Sequence, residues 1–303
     1  MAADQNQYSR SKRIPCLKRR DLQAGTGGRI MTKDKQSVIK YMEECEKKGQ
    51  FDIHTTPPPM ELARPVDEHY DYLRRGIKHF FPSLFVNIFS FFKEREIIHD
   101  LFHLTVEGEE NLNNIPNSVV VCNHVHMFDC VIVRHAFHRK HLYITAAEFN
   151  NRGDFLGFLM RYLGMMPISS NHQAMKHMNN AIKTILTEKE GHILFYPEAS
   201  EWWYYKKPRP FKAGAFHYAA DHHVPVQPMF ITFKDTGRTD KEGNPTPDAT
   251  LHILPAIYPD ESLSRRDRIQ ALSDQSYQSM KDAYEKAYGI PLTYTCDQTK
   301  QQA

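Results

Sequence analysis

His124 and Asp129 stand five positions apart in the run Asn123-His124-Val125-His126-Met127-Phe128-Asp129. A histidine held through one ring nitrogen by a carboxylate keeps a single tautomer and leaves its other nitrogen free as a base. Such a dyad suits removal of a proton from an alcohol. The separation closes if a helix begins between the two residues, because the carboxylate then curls back toward the ring. His124 also follows directly on the apolar run 119–122, and strand ends are where sheet enzymes collect their reactive groups. Spacing alone carries little weight. With 17 histidines in 303 residues, chance supplies about one such pair, so the case rests on what surrounds the pair and in what order.

The elements that must position the dyad are legible as pattern. Short β-like runs at 119–122, 142–147, 165–169, 192–196, 226–233 and 251–257 alternate with helical patterns at 154–163, 172–188 and 211–221. A last amphipathic helix is predicted over 263–288. Strand and helix in alternation predict an α/β fold, with a mainly parallel sheet flanked by helices. Upstream, Ile77, Phe80, Phe81, Leu84, Phe85, Ile88 and Phe92 recur three and four apart, which is one face of an amphipathic helix centred on 82–92. At about 1.5 Å per residue such a helix falls short of a hydrocarbon core of about 30 Å. It is expected to lie on a membrane or to pack on the domain, not to cross.

These patterns divide the chain into four parts. Residues 1–60 read as a basic, largely flexible tail and linker, with a short polar helix over 35–48 and an end at Pro57-Pro58-Pro59. Residues 61–100 form the amphipathic, membrane-facing helical segment, 101–295 the catalytic domain, and 296–303 a C-terminal tail. Hydrophobic residues at 41% and charged residues at 25% exclude a disordered chain. The net charge of +3 hides an asymmetry: among residues 1–30, seven basic residues against two acidic ones leave +5. That arm would be drawn to anionic lipid or nucleic acid, or is a solvated tail; no nucleic-acid partner is expected for the protein. Five cysteines without a CxxC pair fit a reducing compartment. The N-terminus has no apolar run behind its basic residues, so no secretory signal is expected. The catalytic domain is therefore placed in the cytoplasm, peripheral on the inner face of the cell membrane.

Four blocks in order carry a resemblance. Val106-Glu107-Gly108-Glu109-Glu110-Asn111 and then 119–129, with Asn123 ahead of the dyad, resemble the opening strand and NHxxxxD block of the glycerophospholipid acyltransferases of the lysophosphatidic-acid acyltransferase type. Gly164-Met165-Met166-Pro167-Ile168 resembles the second block. Phe195-Tyr196-Pro197-Glu198-Ala199-Ser200 is similar to the third, FPEGT/S, and is followed by Phe211-Lys212-Ala213-Gly214-Ala215 where the family has FKxG. Val224-Pro225-Val226-Gln227-Pro228 is similar to the fourth, an apolar strand opened by proline.

The resemblance covers about 104–257 and implies a glycerol-3-phosphate acyltransferase-like fold. It implies direct acyl transfer from acyl-CoA or acyl-carrier protein to a lysophospholipid hydroxyl such as that of 1-acylglycerol-3-phosphate, with no acyl-enzyme, metal or cofactor. Carried over, His124 is the base and Asp129 its orienting partner, while Glu198 and Ser200 lie in the acceptor-binding block. Asn123, Gly164, Pro197, Gly214 and Pro225 are supporting motif positions. Two positions depart from the family: Ser170 and Glu201 stand where arginines usually hold phosphate. Lys206, Lys207, Arg209 and Lys212, just downstream, are the compensating candidates.

Competing classes leave different marks. A lipid-directed serine hydrolase would carry a GxSxG elbow, which this chain lacks. Condensation-type acyltransferases use a histidine pair, three residues and an aspartate, and His126 is too close to Asp129 for that. Two readings stay open beside the main one: an acyltransferase with an acceptor free of phosphate, and a non-catalytic lipid-binding scaffold. His126 is expected to be structural. Trp202-Trp203-Tyr204-Tyr205 reads either as a substrate-lining aromatic cluster or as a loop packed on the core.

Overall fold

Ser118–Cys122 carries three β-branched valines in a row and forms β2, with every side chain buried. It runs parallel to β5 (His192–Phe195) on one side and to β6 (Val226–Lys234) on the other. A strand covered on both faces needs apolar side chains at odd and even positions alike. Val119 and Val121 enter a layer built with α5 (His172–Lys183), α6 (Gly214–His222) and α7 (Arg265–Tyr288). Val120 and Cys122 enter the opposite layer, with α3 (Asp129–Ala136) and Ile98.

The computed structural model describes residues 35–55, 60–138, 141–239, 243 and 245–297. The described residues from Val38 to Asp297 form one compact unit. Its sheet has seven strands in the order β1 (Thr105–Glu107), β7 (Asp248–Ile253), β6, β2, β5, β3 (Leu142–Ala147), β4 (Met165–Ile168). Every neighbouring pair is parallel except β6 and β7. The α/β class and the mainly parallel sheet expected from the sequence are what the chain adopts. Gly164, between α4 (Phe155–Tyr162) and β4, has φ 97°, and a Cβ there would meet the Leu142 carbonyl at 2.9 Å. Glycine at that motif position is thus a steric requirement.

Boundaries shift where pairing at long range decides them. The predicted strand 251–257 is realised as β7, three residues earlier, because its antiparallel register with β6 runs from Met229 opposite Ile253 to Lys234 opposite Asp248. The predicted helix 211–221 begins only at Gly214, because Lys212 N donates instead to Pro197 O at 2.8 Å.

The division of the chain also changes. Residues 38–55 are not a linker: Met42 and Cys45 of α1 (Lys35–Lys47) bury with Trp202, and Phe51 and Ile53 pack against that cluster. Apolar residues at helical spacing in an otherwise polar helix have found a partner far along the chain. Cys296, read as the start of a tail, is buried too. The basic arm 1–30, Pro57-Pro58-Pro59 and residues 298–303 lie outside the described residues.

The amphipathic segment is a helix, α2 (Phe80–Arg95), and it turns its apolar residues outward. Val86 is its one buried residue. Phe81 and Phe92 are 71% and 66% exposed, and Phe80, Leu84, Phe85, Ile88 and Phe91 are exposed as well. Phe155 and Leu156 of α4 are likewise exposed, and Phe89 meets Phe155 edge to face at 5.7 Å. Among the described residues no helix is long and apolar enough to cross a membrane.

Candidate active site

Because β2, β5 and β6 are parallel neighbours, the loops leaving β2 and β5 meet at one edge of the sheet. The first loop carries His124 and the second runs from Tyr196 to Ala213. Asn123 fastens the junction: its buried amide donates to Ile231 O at 2.9 Å and accepts from Ile231 N at 2.8 Å, so its side chain joins the end of β2 to β6. Pro225 and Pro197 act through their carbonyls, which accept from Val119 N and Lys212 N.

α3 begins at Asp129, and its carboxylate curls back as the spacing predicts. Oδ2 accepts from His124 Nδ1 at 2.7 Å and from the backbone N–H groups of Val125 and His126 at 3.0 and 3.3 Å. Oδ1 accepts from the Tyr196 hydroxyl at 2.6 Å. The Tyr196 ring stacks on the His124 ring with centroids 4.0 Å apart. Asp129 is buried, whereas the His124 side chain is 25% exposed. Its Nε2 has no partner among the described residues, so the free nitrogen of the dyad faces the opening. Burial disfavours the imidazolium, but the adjoining Asp129 carboxylate, helped by Glu201, outweighs it and raises the His124 pKa above its ordinary value. Burial pushes the neighbouring thiols up, Cys122 well above its usual value and Cys130 to about 12. Neither supplies a thiolate nucleophile near neutral pH.

The residues expected to hold the acceptor are brought together, but largely around one another. Glu198 is buried, and its carboxylate accepts from His124 N at 3.1 Å, Arg209 N at 2.8 Å and the Arg209 guanidinium at 2.6 Å. Arg209 is also fully buried; it donates to Ser200 Oγ, to the carbonyls of His124, Phe51 and Ser200, and its guanidinium lies over the Trp202 ring at 4.8 Å. Glu198, Ser200 and Arg209 therefore do not face a substrate phosphate; they brace the His124 loop from behind. Both backbone polar groups of His124 are taken by this second loop, its N–H by Glu198 and its carbonyl by Arg209 and by Trp202 N at 2.9 Å.

The lysines are engaged too. Lys207 pairs with Glu46 of α1 at 2.7 Å, Lys212 with Asp52 at 2.8 Å, and Lys206 lies 5.6 Å from the Tyr288 ring centroid. These ion pairs take up Lys207 and Lys212, whereas Lys206 lies against a ring rather than a carboxylate. Gly214 opens α6, with open space where a Cβ would stand. Trp202 belongs to the core, giving its Nε1–H to Ile53 O at 3.0 Å. Tyr204 also packs inward, against His126 and Phe233. His126 is structural in geometry, its Nδ1 accepting from Phe128 N at 3.1 Å.

Two contributors escaped sequence reasoning. Tyr196 was legible only as a motif letter; nothing in its spacing announces a hydroxyl aimed at Asp129. The segment 51–55 reads as a linker, yet it straps the second loop through Phe51 O, Ile53 O and the Thr55 hydroxyl, which donates to Glu201 O at 3.1 Å.

The Acyltransferase family model matches residues 103–232. A similar solved structure is that of the 1-acyl-sn-glycerophosphate (LPA) acyltransferase PlsC from Thermotoga maritima, 17% identical, covering 68% of this chain and 84% of that one, with a TM-score of 0.46. Among curated proteins no match was found.

Proposed function

We propose, from the match of the Acyltransferase family model to residues 103–232, that this chain moves a fatty-acyl group directly to a hydroxyl of a lysophospholipid. The donor is a thioester, acyl-CoA or acyl-carrier protein, and the product feeds phospholipid biosynthesis. The observation that carries this reading is the 2.7 Å contact between His124 Nδ1 and Asp129, which leaves Nε2 as a lone pair at the opening. Nε2 takes the proton of the acceptor hydroxyl as its oxygen bonds to the thioester carbonyl carbon. Collapse of the tetrahedral intermediate breaks the carbon–sulfur bond, and the thiolate takes the proton back from His124. Asp129 stabilises the imidazolium between these steps. No metal or organic cofactor is required by this scheme.

The outward apolar face of α2 and the exposed Phe155 and Leu156 support a peripheral seat on a membrane, where the lysophospholipid acceptor resides. The basic residues of 1–30 would add attraction to anionic lipid on the cytoplasmic inner face. A scaffold with the same fold would need neither the free Nε2 nor the Tyr196 contact on Asp129. The test is thiol release and lipid mass spectrometry on purified protein given an acyl-CoA and lysophospholipids. Transfer is expected, and His124→Ala is expected to lower it by about 10²–10⁴-fold with the fold intact. Near-normal turnover in that variant would falsify the mechanism, and no turnover in the parent would favour the scaffold.

A further inference from the structure

Lys207, Arg209 and Lys212 of the second loop each have a carboxylate partner and Lys206 lies over a ring, but the Glu201 carboxylate is not engaged in this way. Its backbone is pinned on both sides: Thr55 Oγ1 donates to Glu201 O, and the next residue, Trp202, donates its N–H to His124 O. The carboxylate thus springs from the residue beside the loop's contact with the base. Its residue is half-buried, and among the described residues the carboxylate has no hydrogen-bond or ion-pair partner. Burial raises its pKa, and the charge of His124 pulls the other way, as expected of a carboxylate near the base whose own counter-charge is missing. His54 packs on Phe149 at 5.8 Å, and the adjacent Glu148 carboxylate accepts from Ser170 N and Oγ at 3.2 and 3.1 Å.

Around the base, among the described residues, Glu198 neutralises the Arg209 guanidinium and Asp129 pairs with His124, which leaves the Glu201 carboxylate without a counter-charge of its own. A phosphate monoester brings about −1.5 to −2 charges near neutral pH and would enter against that field. An ammonium group would meet an unpaired, partly desolvated carboxylate, the setting in which a charge-assisted hydrogen bond is strongest.

We propose that Glu201 selects the acceptor: a lysophospholipid whose phosphate is esterified to an amine-bearing headgroup, the ammonium pairing with Glu201. This rests on the acyl-transfer reading above. The full chain is given palmitoyl-CoA and, in turn, 1-acylglycerol-3-phosphate, its ethanolamine ester and its glycerol ester, all with the same acyl chain, and thiol release is followed. The ethanolamine ester is expected to show the highest kcat/KM, by about tenfold or more. Glu201→Gln, which keeps the shape and removes the charge, is expected to erase that preference mainly through KM, and Glu201→Asp to retain part of it. A parent enzyme that prefers the monoester or the glycerol ester overturns the proposal, as does an unchanged ranking in Glu201→Gln. Either result leaves acyl transfer standing. Absence of transfer to all three acceptors removes the lysophospholipid reading itself, and this proposal with it.

Discussion

Tyr196 lies face to face with His124 at 4.0 Å while its hydroxyl holds Asp129 Oδ1 at 2.6 Å, so one residue fixes both members of the dyad. It is a positioning residue: it touches the base and the carboxylate that orients the base. Tyr196→Phe keeps the stacked ring and deletes the hydrogen bond. A hydrogen bond to a charged group contributes about 1.5–3 kcal/mol, so kcat is expected to fall by about tenfold or more with KM little changed. Tyr196→Leu, which loses the ring as well, should fall further. Steady-state kinetics on both variants checks this, and equal activity in Tyr196→Phe and the parent would show that Asp129 needs no second anchor.

The raised His124 pKa sets the pH dependence. The base works deprotonated, so kcat/KM should be low in acid and rise as pH climbs through the pKa of His124, which lies above the usual histidine value. Asp129 and Glu201 hold that pKa up, while burial and the nearby Arg209 push it down. Asp129→Asn and Glu201→Gln should each move the acid limb to lower pH, Asp129→Asn with much the larger loss of maximum rate. A pH–rate profile with an unmoved limb in both variants would remove His124 as the titrating group.

The Arg209 and Glu198 pair is buried on both sides. Removing one partner strands the other's charge, which costs about 3–5 kcal/mol. Arg209→Met and Glu198→Gln are therefore expected to lower the unfolding midpoint steeply and to lose activity through the fold. Lys212→Ala, which breaks an exposed pair with Asp52, should change stability by no more than about 0.5 kcal/mol. Denaturant melts of the three variants separate the cases; equal effects would mean that the brace is not a brace.

For α2, Phe81→Glu together with Phe92→Glu takes two exposed rings out of the proposed membrane seat. Burying a Phe side chain is worth about 1.5–3 kcal/mol, so vesicle binding by flotation should weaken by about tenfold or more. Activity on substrates dispersed in detergent should persist, because neither ring contacts the site. Unchanged flotation would assign the apolar face to a different partner.

Local pattern determined much of this protein. Short apolar runs announced β2, β5 and β6, and the helical spacing of Phe81, Phe85 and Phe92 announced α2, because such patterns are written within a few residues. The five-residue step from His124 to Asp129 closes within one strand-to-helix turn, so the dyad was legible as well. What lies far apart in the chain was not. Charge alone cannot say that Arg209 is buried against Glu198 while Glu201, three residues after Glu198, stays unpaired. That outcome depends on where α1 and the strap 51–55 land, about 150 positions upstream in the case of the Thr55 contact, separated by 146 residues. Lysines and arginines read as a free cationic stretch because a sequence shows charges without their counter-charges. Only tertiary packing, by bringing Glu46, Asp52 and Glu198 to them, decided that the stretch is a scaffold and that the one charge left open beside the base is negative.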